Sequence, residues 1–304
     1  MTQPAAPTEP IAFRLLIDEA MKLVRRHFRA VYPSVAIPVA VASGLLPLVQ
    51  RSWIGSLAAG NAPADIAGML QGCAGAVAAM LFTLTLITLG HGAMLYGCVS
   101  AVSARPVEPA ANWRFILRPS SLWTLFLAGL AVGLGFVLLV LPGLYVSLML
   151  SFVIPVMAAE GLAGTDAIGR SWRLVRYNPQ NRFLANTSVK VFALYLIGAV
   201  LSYLVTALVQ LPFMLAQGVR MARGVTAGGF ADPQRLLAGS LWLEIPSAVL
   251  GSFVSTAVSV YTSFGLVLLY FDTRRRKEGM DLEAAIAARA NGPPLPGPTG
   301  SFAG

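Results

Sequence analysis

Ser259–Asp272 reads SerValTyrThrSerPheGlyLeuValLeuLeuTyrPheAsp and is followed at once by Arg274, Arg275, Arg276 and Lys277. An apolar run that ends at an aromatic pair and a basic cluster marks a helix leaving a bilayer on its cytoplasmic side. The whole chain has the same character. Of its 304 residues 56% are hydrophobic and only 12% charged, with mean hydropathy +0.71, whereas charged residues make up about 25% of a soluble domain. The formal net charge of +9 is gathered in short clusters beside the apolar runs, which suits anionic lipid headgroups better than a nucleic-acid partner.

A hydrocarbon core of about 30 Å needs roughly 20 apolar residues in helix. That length predicts an all-α, polytopic membrane bundle with six spans, at about 33–50, 69–102, 122–141, 144–159, 183–219 and 236–271. The whole membrane domain runs from 11 to 290. Three of the spans are too long for one perpendicular crossing and should tilt or kink, with breakers at Gly90 and Gly92, Pro212 and Pro246. Only Pro142 and Gly143 separate the third and fourth, so a tight hairpin is expected there. Residues 1–10 have neither a basic nor an apolar signal region, so the first span should stay as an anchor. Residues 1–10 and the Pro/Gly-rich 291–304 have the composition of disordered ends, and 281–290 that of a short helix.

Orientation follows from lysine and arginine. With the N-terminus inside, Arg14, Lys22, Arg25, Arg26, Arg29, Arg105, Arg114, Arg118, Arg170, Arg173, Arg176, Arg182, Arg274, Arg275, Arg276, Lys277 and Arg289 are internal. Only Arg51, Arg220, Arg223 and Arg235 are external, and Lys190 falls within the fifth span. Both termini are therefore expected in the cytoplasm.

Two internal stretches are amphipathic at helical spacing and are expected in the headgroup plane or packed beneath it. In 11–32, Arg14, Asp18, Lys22, Arg25 and Arg29 oppose Phe13, Leu16, Ile17, Val24 and Phe28. In the elbow helix 165–177, Arg170 and Arg173 oppose Ile168, Trp172 and Val175, and Asn178–Pro179 stops it. The two align without gaps from Ile17 to Arg25 on Ile168 to Arg176, as a duplicated unit would.

Chemistry-bearing residues are few. His27 and His91 are the two histidines, and neither has a partner at metal-ligand spacing; no nucleophile motif or phosphate loop occurs, so neither an enzyme nor a metal or other cofactor is expected. Cys73 and Cys98, 25 residues apart on one helical stretch, would be about 37 Å apart and cannot bridge. His91 is an ionisable residue within a span and a functional candidate by default. Tyr195, Ser202, Thr206 and Gln210 on the fifth span, and Glu244, Ser252, Ser255, Ser259 and Thr262 on the sixth, form polar seams. Such seams either pack helices together or line a path. Gly129 and Gly133, with Gly68 and Gly72, have the spacing of close helix contacts. Glu160 is placed to pair with an elbow arginine or with Arg275 or Arg276, and Asp272 with Arg170 or Arg173. The basic residues at this end, Arg170, Arg173, Arg176, Arg274, Arg275, Arg276 and Lys277, are candidates for lipid phosphate.

Two stretches carry a family resemblance. Val140–Arg176, with Pro142, Gly143, Tyr145, Pro155, Glu160, Gly161, Ala167, Ser171 and Trp172, resembles the central region of the membrane domain associated with bacterial glycerophosphoryl diester phosphodiesterases. The closing Tyr270–Glu283, with Tyr270, Asp272, Arg276, Glu278, Gly279 and Asp281, is similar to that family's usual end. The resemblance spans residues 10–285, with its specific motifs in these two stretches. Thr273, the three successive arginines and TyrAsnProGlnAsn after the elbow depart from the family pattern. It implies a stand-alone membrane domain in the bacterial cytoplasmic membrane, without the soluble catalytic barrel of those enzymes.

The function expected on these grounds is a non-enzymatic membrane protein that binds anionic phospholipid headgroups at its inner face, in a membrane-organising or accessory role. A lipid or small-molecule carrier, flippase or scramblase using the two seams is the first alternative. A subunit of a larger membrane complex is the second, and a homo-oligomer or a membrane-protein partner is left open.

Overall fold

The computed structural model describes residues 13–58, 66–177, 186–226 and 241–279. All regular structure among them is α-helical: α1 (Phe13–Val31), α2 (Pro33–Ala58), α3 (Ile66–Val102), α4 (Pro109–Ile116), α5 (Pro119–Leu138), α6 (Val140–Met149), α7 (Val153–Glu160), α8 (Gly164–Val175), α9 (Thr187–Thr226) and α10 (Leu241–Glu278). The chain ends at 1–10 and 291–304, the helix expected at 281–290 and the stop at Asn178–Pro179 lie outside the described residues.

Proline opens three of the ten helices among the described residues. It lacks an N–H and restricts the residue before it, so it ends one helix and opens the next. Pro33, Pro109 and Pro119 each occupy the first position of a helix. Inside α9 and α10, by contrast, the helix continues through Pro212 and Pro246.

Five segments are long and apolar enough to cross a membrane: Cys73–Val102, Pro119–Leu138, Val140–Glu160, Thr187–Val219 and Leu243–Glu278. The span expected at 33–50 lies in α2, and its described residues qualify only together with α1, from which α2 is bent by 66°. Large apolar side chains along α3, α5 and α9 are open to the surroundings, among them Phe82, Phe126, Leu204 and Leu208. Apolar surface on this scale calls for lipid rather than water as solvent. The chain is a multi-pass, all-α membrane protein.

Two boundaries differ from those expected. The α5–α6 turn falls at Leu139, whose extended backbone (φ −168°, ψ 156°) links the helices, while Pro142 and Gly143 lie in the first turn of α6. Proline is tolerated there because first-turn N–H groups have no helical partner. The hairpin closes because Gly135 and Gly143 meet: a Cβ on Gly135 would sit 2.9 Å from Gly143 Cα. The fourth span is itself broken between Met149 and Val153, and Pro155 lies in the first turn of α7, where its missing N–H has no helical partner to lose.

The core lies around the C-terminal half of α10. Phe264, Leu266, Val267, Leu269 and Tyr270 are buried among α1, α3, α7, α8 and α9. Both amphipathic helices turn their apolar faces onto this bundle. Leu16, Ala20 and Val31 of α1 are buried there, as are Ala167, Leu174 and Val175 of α8. Gly90 and Gly92 admit close neighbours on α3, with Pro38 of α2 against one and Ile116 of α4 against the other. Gly129 and Gly133 have no atom within 4 Å of where a Cβ would stand, so among the described residues they serve no helix contact.

Candidate functional site

The best-defined polar assembly sits where α7 ends, α8 begins and α10 finishes. Glu160 closes α7, and its side chain is only 10% exposed. One carboxylate oxygen, Oε2, accepts from Arg170 Nε of α8 at 2.9 Å, and the other, Oε1, from the Tyr270 hydroxyl of α10 at 2.8 Å. Arg274 Nε stands 3.6 Å from the same Oε1 and donates to Glu278 Oε2 at 3.0 Å. Arg170 also pairs with Glu278. Two carboxylates thus face two guanidiniums, and the group is neutral as a whole. Few other arrangements hold charges at this depth, because an unpaired partner would be stripped of water without compensation.

Above this network, the break in the fourth span is filled by α8. The buried Ser171 hydroxyl donates to the Met149 carbonyl at 2.7 Å and accepts from the Phe152 N–H at 3.2 Å. A second tie joins the start of α8 to α5, where Gly164 N–H donates to Thr124 Oγ1.

The structure sorts the expected headgroup ligands into two sets. Arg170 and Arg274 belong to the neutral network, and Arg276 is spent on Asp272, at 3.0 and 3.1 Å to Oδ1 and 2.8 Å to Oδ2. Asp272 therefore pairs along its own helix and not with Arg170 or Arg173, because one helical turn places i and i+4 together at no cost in chain folding. Likewise, Glu160 pairs with Arg170 and approaches Arg274, not Arg275 or Arg276. Arg173, Arg176, Arg275 and Lys277 are exposed and make no ion pair among the described residues. The ends of the two helices are tied together: Lys277 Nζ donates to the Arg173 carbonyl at 2.8 Å, and Tyr177, just past α8, donates to the Arg276 carbonyl at 3.4 Å.

Tyr270, Glu278 and Ser171 carry as much of this assembly as the residues expected from charge alone. For Glu278 a signal existed in the four-residue spacing from Arg274; for Ser171 the signal was Pro155 upstream, which announces a break with polar groups to satisfy.

The polar seams of the last two spans meet across the α9–α10 contact and border two adjoining clefts. One, of about 400 Å³, is lined by His91, Tyr195, Ser202, Ser259, Thr262 and Ser263 with apolar neighbours. The other, of about 600 Å³, takes in Ser202, Thr206, Gln210 and Ser255. Glu244 and Ser252 lie on α10 but line neither cleft. The hydroxyls of Ser252, Ser259 and Thr262 donate to carbonyls of their own helix, whereas Thr206 Oγ1 is buried with no partner among the described residues. His91 Nδ1 lies 2.9 Å from the Ile87 carbonyl. No group of His, Cys, Asp and Glu suited to a metal ion occurs among the described residues.

No family model, curated protein or solved structure matches the chain.

Proposed function

We propose that the chain is a non-enzymatic membrane protein of the bacterial cytoplasmic membrane whose basic end faces the cytoplasm and holds anionic phospholipid. The observation that carries this reading is the surplus charge beside a neutral network. Arg173, Arg176, Arg275 and Lys277 are exposed at the adjoining ends of α8 and α10, after Arg170, Arg274 and Arg276 have been compensated by carboxylates. Three further exposed arginines, Arg25, Arg26 and Arg29, lie on α1, whose apolar face is anchored on α10. Basic groups fixed at the rim of a membrane bundle attract anionic leaflets at about 1 kcal/mol each.

The family resemblance supports the location in the bacterial cytoplasmic membrane. Glu160, Tyr270 and Glu278, which carry the resemblance, build the network holding α8 against α10, and Ser171, which also carries it, ties α8 to the break in the fourth span. A carrier for charged headgroups fits less well, because no Asp, Glu, Lys or Arg lines either cleft between α9 and α10.

The test is native mass spectrometry of the protein released from mixed phosphatidylcholine and phosphatidylglycerol. Joint replacement of Arg173, Arg176 and Arg275 by glutamine should abolish the preference for phosphatidylglycerol. An unchanged preference in the triple variant refutes the proposal.

A further inference from the structure

We infer that the cleft beside His91 is a binding site for a neutral, hydroxyl-headed lipid, such as a diacylglycerol or a long-chain alcohol, entering from the bilayer. The first ground is the state of the histidine ring. A carbonyl can only accept, so the 2.9 Å contact with Ile87 O fixes the proton on Nδ1. The neutral ring then has one acceptor left, Nε2, and it has no partner among the described residues. Gly90 and Gly92, on either side, seat α2 and α4 against α3, and the ring itself lines the cleft toward α9 and α10.

The second ground is the chemistry of the opposite wall. Ser259 and Thr262 spend their protons on Ser255 O and Val258 O, so each presents an oxygen that can only accept. Three residues with an acceptor to spare thus line a space of about 400 Å³ in which no acid or base other than His91 and Tyr195 appears. A ligand that satisfies them must donate a hydrogen bond. A phosphodiester has no proton to donate, any phosphate would find no cation among the lining residues, and an ammonium would find no carboxylate. An alcohol donates to the acceptors and can accept from Ser202 or Ser263, which line the same cleft.

The third ground is the setting. The helix α9, which forms one side of the cleft, exposes Leu196, Val200, Tyr203 and Leu204 around it. The cleft opens among residues that face hydrocarbon, and most of its lining is apolar. A polar head would lodge against His91 while its chains lie along α9 in the bilayer. This site is separate from the basic surface at the end of α10, and neither proposal depends on the other.

The experiment uses the full chain in phosphatidylcholine nanodiscs and a photoreactive dioleoylglycerol analogue, with crosslinked peptides mapped by mass spectrometry. Labelling is expected on α9 and α10 between 195 and 266, with competition by dioleoylglycerol. Its 3-O-methyl ether, which keeps the chains and loses the donor, should compete about fivefold less well, the worth of one hydrogen bond. His91→Phe should weaken labelling by a similar factor, and Ser259→Ala gives a second reading if the first variant fails to fold. Equal competition by alcohol and ether would show a slot that takes any acyl chain and would overturn the proposal. So would stronger competition by phosphatidic acid, or crosslinks spread evenly over the lipid-facing helices. Replacing Arg173, Arg176 and Arg275 by glutamine should leave this labelling unchanged.

Discussion

Ser171 of α8 completes the backbone of a different helix pair: its hydroxyl takes the N–H of Phe152, 19 residues earlier, at 3.2 Å. Both residues are fully buried. Ser171→Ala would strand that N–H and the Met149 carbonyl where neither lipid nor water reaches them. An unsatisfied buried group costs about 1–3 kcal/mol, so the variant should melt measurably lower in detergent, while Ser147→Ala, whose hydroxyl bonds only within α6, should not. Equal melting temperatures for the two variants would show that the break is satisfied some other way.

The pairing of Glu160 with Arg170 is testable by a double-mutant cycle. Breaking a fully buried pair costs about 3–5 kcal/mol, and with the arginine side chain 17% exposed a loss of about 2–3 kcal/mol is expected for Glu160→Gln. Arg170→Gln should cost less in that background than alone, with a coupling of about 1–2 kcal/mol. Additive losses would dissolve the pair. Arg276→Gln, whose partner is Asp272, should be additive with Glu160→Gln.

Tyr270→Phe keeps the ring contacts with Phe152 and Phe271 and deletes only the bond to Glu160. A hydrogen bond to a charged group is worth about 1.5–3 kcal/mol. The variant should therefore lose stability without losing its fold, as judged by an unchanged far-ultraviolet circular dichroism spectrum. A wild-type melting temperature would mean that Glu160 is held by arginine alone.

Topology is decided by labelling single cysteines in a background where Cys73 and Cys98 are replaced. Ser56→Cys and Ala227→Cys should react with a membrane-impermeant thiol reagent added to intact cells, and Ser301→Cys only after lysis. Labelling of Ser301→Cys from outside would invert the orientation and move the basic surface to the other leaflet.

How much of this was legible in the sequence depends on the distance over which each feature is encoded. Spans are encoded by length and composition along one stretch, and the bilayer supplies the ruler. The amphipathic faces of α1 and α8 were equally local. Their apolar sides meet other helices, however, a choice that depends on residues such as Phe264 and Tyr270 more than 90 positions away. The pairing at the basic end was half-encoded: Asp272 with Arg276 and Arg274 with Glu278 follow from a spacing of four, but Glu160 with Tyr270 joins residues 110 apart. The break before Val153 is hidden by composition, since every residue around it but Ser151 is apolar and hydropathy sees no interruption. The seams on α9 and α10 were visible as a periodic pattern. Whether they packed or enclosed space turned on the shape of two helices together, which no single helix records.

The dependence of the fourth span on Ser171 sets an order of events during synthesis. Residues 119–160 leave the ribosome before α8, and without α8 the Met149 carbonyl and the Phe152 N–H lack the hydroxyl that meets them. A polar gap of that kind is costly in hydrocarbon, so the hairpin is a provisional occupant of the membrane until Ser171 has emerged and α8 has folded. Only when α8 folds back beneath it does the pair become permanent. The elbow is thus an internal latch for biogenesis, and a chain that stalls before residue 171 would be expected to leave an unlatched hairpin for the cell's membrane proteases.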